Sequence, residues 1–187
     1  MVDESLIQDT VRAGYLRKVT IRRVAALVDS AVEAGADAVL VTCSSIGVAV
    51  ERAAERHDVP VLRVDEAMAI KGVNQARTIG VLATLRTTLE PTSDLLRRKA
   101  AEAGRDVKLV ECLCEEAFPA VMAGDTETHD RLLRKALTED LKDVDTIVLA
   151  QASMARVVAS LPEGALKAEV LSSPELGVLS VRQALGL

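Results

Sequence analysis

The sequence predicts an α/β fold of two pseudo-symmetric lobes, each a parallel sheet flanked by helices, and three observations carry that prediction. Short β-branched runs alternate with longer helical stretches along the 187 residues, the pattern of parallel strands joined by crossover helices. Glycines stand just past two helical stretches, in G-A-D at 35–37 and A-G-R-D at 103–106, as a left-handed C-cap prefers. The chain also repeats itself at an offset of 108: D37-A-V-L-V-T-C-S-S-I-G-V-A-V falls on D145-T-I-V-L-A-Q-A-S-M-A-R-V-V. Both copies have an Asp, four aliphatics, a small-residue turn and a helix start.

Taken in order, a helix over 15–34 is closed by Gly35 and followed by a strand at 37–43, and a helix over 46–56 leads to a strand at 60–64. A helix over 67–76 precedes the strand T-I-G-V-L-A at 78–83. The helix expected at 90–103 places Pro91 in a first turn, which tolerates proline. A strand at 107–113, helices at 115–123 and 126–142, a strand at 145–150, a helix at 154–160 and a strand at 168–172 complete the pattern. After each copy of the repeat comes a further strand, in Pro60-V-L-R-V-D-E and Ala168-E-V-L-S-S-P-E, with one residue of slip. The expected division is a first lobe of 1–76 plus 175–187 and a second of 77–174. The second lobe holds an extra strand and helix, from Arg77 to Gly104, whose first-lobe counterpart falls about thirty positions ahead of residue 1. The first lobe is therefore expected to be truncated, lacking its N-terminal strand and helix. In a 2-1-3-4 strand order the absent strand is central, between strands near residues 2 and 37, and two edges lack partners.

Composition narrows the function classes. Hydrophobic residues make up 49% of the chain and the net charge is −5, with basic residues scattered among acids, which argues against nucleic acid as a partner. Tyr15 and Phe118 are the only aromatics, so stacking platforms for bases are absent. No apolar run approaches 18 residues and the N-terminus M-V-D-E-S is acidic, which predicts neither a membrane span nor a signal peptide. Cysteines at 43, 112 and 114 make no disulfide framework and suit a reducing, cytoplasmic setting. A homo-oligomer is left open.

The segments V2-D-E-S-L, T42-C-S-S, V81-L-A-T-L-R-T-T, A117-F-P-A-V-M-A-G-D and I147-V-L-A-Q-A-S-M together resemble the aspartate/glutamate/hydantoin racemase superfamily over nearly the whole chain. That superfamily also includes maleate isomerases and arylmalonate decarboxylases. The resemblance implies two pseudo-symmetric α/β lobes, an active site between them, no cofactor, and in the racemases one cysteine from each lobe on opposite faces of the substrate α-carbon. The first of these corresponds to Cys43. The second position is Gln151, which departs from the two-cysteine pattern, as it does from the decarboxylases, which keep the cysteine of the opposite lobe.

A thiol at a helix N-terminus is expected to have a lowered pKa. Ser44 and Ser45 are expected to cap that helix, and with Thr42 to offer donors for a carboxylate. Donors aimed at a carboxylate stabilise the charge that builds when its α-proton leaves. A second cradle is expected at A83-T-L-R-T87, where Thr84 and Thr87 resemble the family's T-x-x-T turn and Arg86 adds a cation. A third is Ala152 and Ser153 beside Gln151. Bland readings stand beside these: Cys43 as a core residue, Thr84 and Thr87 as helix caps, Arg86 as a solvated turn residue, Asp65 as an N-cap or a residue lining the cleft. Cys112 and Cys114 share a strand face, but two ligands do not close a zinc site, so no metal is expected. His57 reads as a solvated cation and His129 as part of a capped helix start.

The leading expectation is a cofactor-independent isomerase or racemase-like enzyme acting at the α-carbon of a small carboxylic acid, with Cys43 as its single acid/base. Glutamine offers no proton near neutral pH, so two-base racemisation is not expected. The alternatives are a decarboxylase, a cysteine-dependent hydrolase needing His57 or His129 as base, and a carboxylate-binding or vestigial protein without turnover.

Overall fold

Aliphatic runs of three to six residues form six strands, and the amphipathic stretches between them form the helices that cross over. The computed structural model describes residues 1–187. In the first lobe β1 (Val39–Val41) pairs in parallel with β2 (Val61–Arg63). In the second, β3 (Thr78–Ala83), β4 (Lys108–Leu113), β5 (Thr146–Leu149) and β6 (Glu169–Leu171) form a parallel sheet in the order β4-β3-β5-β6. The helices are α1 (Ser5–Ala13), α2 (Lys18–Glu33), α3 (Gly47–Ala54), α4 (Glu66–Gln75), α5 (Arg86–Glu102), α6 (Ala117–Met122), α7 (Thr126–Lys135), α8 (Ala155–Ala159) and α9 (Ser173–Ala184). None is long and apolar enough to cross a membrane.

Burial on both faces explains why β3 and β5 read as continuous hydrophobic runs. Ile79, Val81 and Val148 face a core shared with Met68 and Val73 of α4 and Leu95 and Leu96 of α5. Leu82, Ile147 and Leu149 face the opposite core, with Leu133, Leu137 and Met154. A third core joins α1, α2 and α3 to β2 through Leu6, Val24, Val28, Val50 and Val61. Helix α4, assigned by the expected division to the first lobe, thus buries its apolar face against the second sheet. Helix α9 packs on α4, β1 and β2. Gly177 allows that approach, because a Cβ there would lie 2.8 Å from the Val64 carbonyl oxygen.

The internal repeat is visible in the backbone. Cys43 (φ −136°, ψ 111°) precedes a 3-10 turn at Ser44–Ile46, and Gln151 (φ −132°, ψ 128°) precedes one at Ala152–Met154. The offset of 108 superimposes both turns and the strands that feed them.

The structure corrects several local expectations. No strand forms near residue 2; the chain enters α1 at Ser5, with the Asp3 carboxylate accepting from the Ser5 amide at 3.1 Å and hydroxyl at 2.6 Å. Helix α5 starts at Arg86 after the extended Leu85, so Pro91 lies in its second turn and withholds the amide that would bond the Thr87 carbonyl. The helix expected to 142 widens after Lys135 into a π turn at Ala136–Asp140. Helices α1 and α9 were not foreseen.

The outer edge of β1 has no strand partner. Val39 donates to Pro60 and Val41 accepts from Val64, so alternation along a parallel ladder turns the main-chain groups of Leu40 the other way. They face an apolar groove of about 350 Å3 between β1, α2 and residues 1–6. Val148, the counterpart of Leu40, is paired with Val81 of β3.

Candidate active site

The C-terminal ends of β1 and β5 open onto one cavity of about 420 Å3, lined by Thr42, Cys43, Ser44 and Ser45 from one lobe and by Gln151 and Ala152 from the other. Parallel α/β sheets bind ligands at this end of their strands. No charged side chain lines the cavity. A bound carboxylate would meet neutral polar side chains only, those of Thr42, Ser44, Ser45, Thr88, Gln151 and Ser173 beside the thiol.

Cys43 sits at the start of its turn with the amides of Ser45 and Ile46 directed at the thiol, yet its pKa lies above the ordinary thiol value. This reverses the expected direction. Burial is the largest influence and outweighs the two amide donors, and the charge of the buried Asp65 adds to it. The resting group is a protonated thiol. Ser44 and Ser45 make no side-chain cap, because the turn is 3-10 and the α-helix begins only at Gly47. The Ser45 hydroxyl instead meets that of Thr88 at 3.1 Å, a contact between β1's turn and α5.

Gln151 is committed to Thr84. The Thr84 amide donates to Gln151 Oε1 at 2.7 Å, and Gln151 Nε2 donates to the Thr84 hydroxyl at 2.8 Å. The donors expected to hold a substrate carboxylate are thus occupied by an internal carboxamide, and Thr84 is buried outside the cavity lining. Thr87 faces a different depression, beside Tyr15 and Pro91, and its buried hydroxyl has no partner. Thr88 faces the cavity in its place. Ser153 is exposed and outside the lining, and Arg86 is exposed and pairs with Glu90 at 3.7 Å. Asp65 makes no side-chain cap and does not line the cavity; it is held by Arg63 through two contacts of 2.8 Å.

Neither histidine lines the cavity. His57 pairs with Asp29 at 2.8 Å and His129 with Asp130 at 2.9 Å, so the hydrolase alternative lacks the base it requires. Cys112 and Cys114 belong to no cluster of three metal-ligating side chains. Thr88, Phe118 and Ser173 line the cavity and were missed by sequence reasoning. The run Ser172, Ser173, Pro174, Glu175 carried a usable signal, since a serine followed by proline and an acid marks a helix start.

Residues 2–181 match the family model of the Asp/Glu/hydantoin racemases. The chain belongs to this family. Among solved structures it is similar to glutamate racemase isoform RacE1 from Bacillus anthracis, with a TM-score of 0.66 and 20% identity, over 89% of this chain and 65% of that one. It is also similar to allantoin racemase from Klebsiella pneumoniae, with a TM-score of 0.62 and 22% identity, over 90% of this chain and 68% of the other. Similarity to the Gly74Cys mutant of arylmalonate decarboxylase has a TM-score of 0.51 at 18% identity, covering 98% of this chain and 76% of that one. No curated protein matches in sequence. At these identities the likeness is one of fold. This racemase-family chain spans 65% of the length of the Bacillus anthracis enzyme.

The three thiols of this family member are expected to alkylate in an order set by their surroundings. Cys112 and Cys114 stand on one face of β4 and its end, and their mutual influence lowers the Cys114 pKa and raises that of Cys112. Since the thiolate is the reacting form, iodoacetamide should modify Cys114 first, and Cys43 should gain rate only at higher pH. Peptide mass spectrometry across pH 7 to 9, on the order of the usual thiol range, checks this. Cys43 reacting first at the low end would contradict it.

Proposed function

We propose that this racemase-family protein is a cofactor-independent isomerase or racemase-like enzyme acting at the α-carbon of a small carboxylic acid, with Cys43 as its one acid/base. The observation that supports this best is the pairing of Cys43 with Gln151 at equivalent turns on one uncharged cavity. A thiol on one face of the α-carbon can exchange its proton, while an amide on the other face can only hold the substrate. In the forward step Cys43 first loses its proton to solvent, and the thiolate then takes the α-proton while the electron pair of the broken C–H bond passes into the carboxylate. In the reverse step the same thiol returns a proton. The hydroxyls of Thr42, Ser44 and Ser173 line the same cavity, and such neutral donors stabilise the charge that builds on the carboxylate. Three free thiols suit a cytoplasmic setting.

The protonated resting state of Cys43 favours a second reading, a decarboxylase. There the bond to a departing carboxylate breaks, carbon dioxide leaves, and the thiol protonates the carbanion on one face. Two lobes, 1–76 with 175–187 and 77–174, remain our proposed division. We further infer that the groove beside β1 takes a parallel strand as β5 takes β3.

A screen of small dicarboxylic and 2-substituted acids in deuterium oxide tests the proposal. The expected result is α-deuterium incorporation, or carbon dioxide release, that disappears with Cys43. Binding of such acids without either reaction, followed by calorimetry, would assign the protein to carboxylate binding.

A further inference from the structure

Strand β2 alternates apolar residues toward the first-lobe core, yet its third residue is Arg63, only 2% exposed. A buried guanidinium is costly unless every donor is met. Here Nε and Nη2 grip Asp65, itself fully buried, at 2.8 Å each, and Nη1 reaches Glu51 of α3. Glu51 also accepts from Arg98 of α5 at 2.8 Å, so the network spans both lobes.

Gly47 explains the location of the guanidinium. It is the first residue of α3 with ordinary helical angles (φ −54°, ψ −41°), so no backbone requirement calls for glycine, and glycine is a poor helix former. A Cβ at this position would lie 2.3 Å from Arg63 Cζ, 2.5 Å from Nη2 and 2.7 Å from Nε. The planar fork therefore packs flat on the backbone of Gly47, four residues beyond Cys43. Glycine and arginine account for one another, and neither is explained by the core alone.

We propose that Arg63 and Asp65 are the positioning pair of this site: the guanidinium, held by Asp65 and Glu51, is pressed against Gly47 and fixes the turn that presents Cys43. The inference rests on the reading of Cys43 as the working thiol but is tested without turnover. Asp65 is the charged group whose field reaches Cys43; Arg63 and Glu51 complete the ionised set beneath the turn, with Arg98 behind them, and the cavity side contributes none. The Asp65 carboxylate opposes ionisation of the thiol, while the Ser45 and Ile46 amides, held in place by the turn, favour it.

The test is the pH dependence of Cys43 alkylation by iodoacetamide, read by mass spectrometry, with circular dichroism as a check on folding. Asp65→Asn keeps the shape of the pair and removes the charge facing the thiol. Cys43 should then react at least about threefold faster at pH 8, where thiolate fraction limits the rate. Arg63→Lys keeps a cation but loses the fork against Gly47, so the amides drift from the thiol and Cys43 should react more slowly. A folded Asp65→Asn protein with the unaltered Cys43 profile would overturn the proposal. Should that variant not fold, an unaltered profile in Arg63→Lys overturns it equally. Absence of α-proton exchange with a shifted alkylation profile would instead count against the proposed reaction alone.

Discussion

Cys43→Ala is expected to lower α-proton exchange by about 100- to 10,000-fold, the usual contribution of a positioned acid/base. The size follows from the emptiness of the alternatives. No other titratable side chain lines the cavity, so water is the only substitute. Cys112→Ala with Cys114→Ala should leave exchange intact, because both thiols lie at β4 and its end, away from the lining. Deuterium incorporation followed by NMR separates the two results, and a Cys43→Ala protein exchanging within a few-fold of the parent would remove the thiol from the reaction.

Arg63→Met is expected to destabilise the fold by about 3–5 kcal/mol, the cost of leaving one charge of a buried pair without its partner. Asp65 has no other cation in contact, whereas Glu51 retains Arg98. Pairing the change with Asp65→Leu should recover most of the loss, since a buried ion pair replaced by apolar residues is often near neutral. Urea denaturation of the single and double variants measures both. A single variant within about 1 kcal/mol of the parent would show that Asp65 finds solvent or a new partner.

Much of the architecture was legible because it is written in local periodicity. The repeat at 108 located both turns to the residue, since an Asp, four aliphatics and a small-residue turn recur in the same order. The site was less legible wherever a side chain's fate depended on distant contacts. Reading Pro91 as a first-turn residue moved the start of α5 by four positions, and the resemblance to a T-x-x-T turn singled out Thr87 where the helix presents Thr88 to the cavity. The capture of Thr84 by Gln151 joins residues 67 apart, and no local pattern announces it. The acidity of Cys43 failed for a different reason: the amide donors are implied by a turn, but the burial that overrides them is a tertiary property. Arg63 and Asp65 stand two residues apart, a signal available in R-V-D that acquires meaning only with Gly47 beneath it.

The stereochemical course of exchange tests the central claim most directly. With a single thiol on one face, a chiral substrate incubated in deuterium oxide should gain α-deuterium and keep its configuration. Gln151→Cys places a second thiol at the equivalent turn and should add inversion to exchange. Chiral chromatography with mass detection reads both quantities in one sample. Exchange with retention in the natural protein and inversion only in Gln151→Cys is the predicted result; inversion by the natural protein, at a rate matching its exchange, would mean that a group other than Cys43 supplies the second proton and would contradict the account.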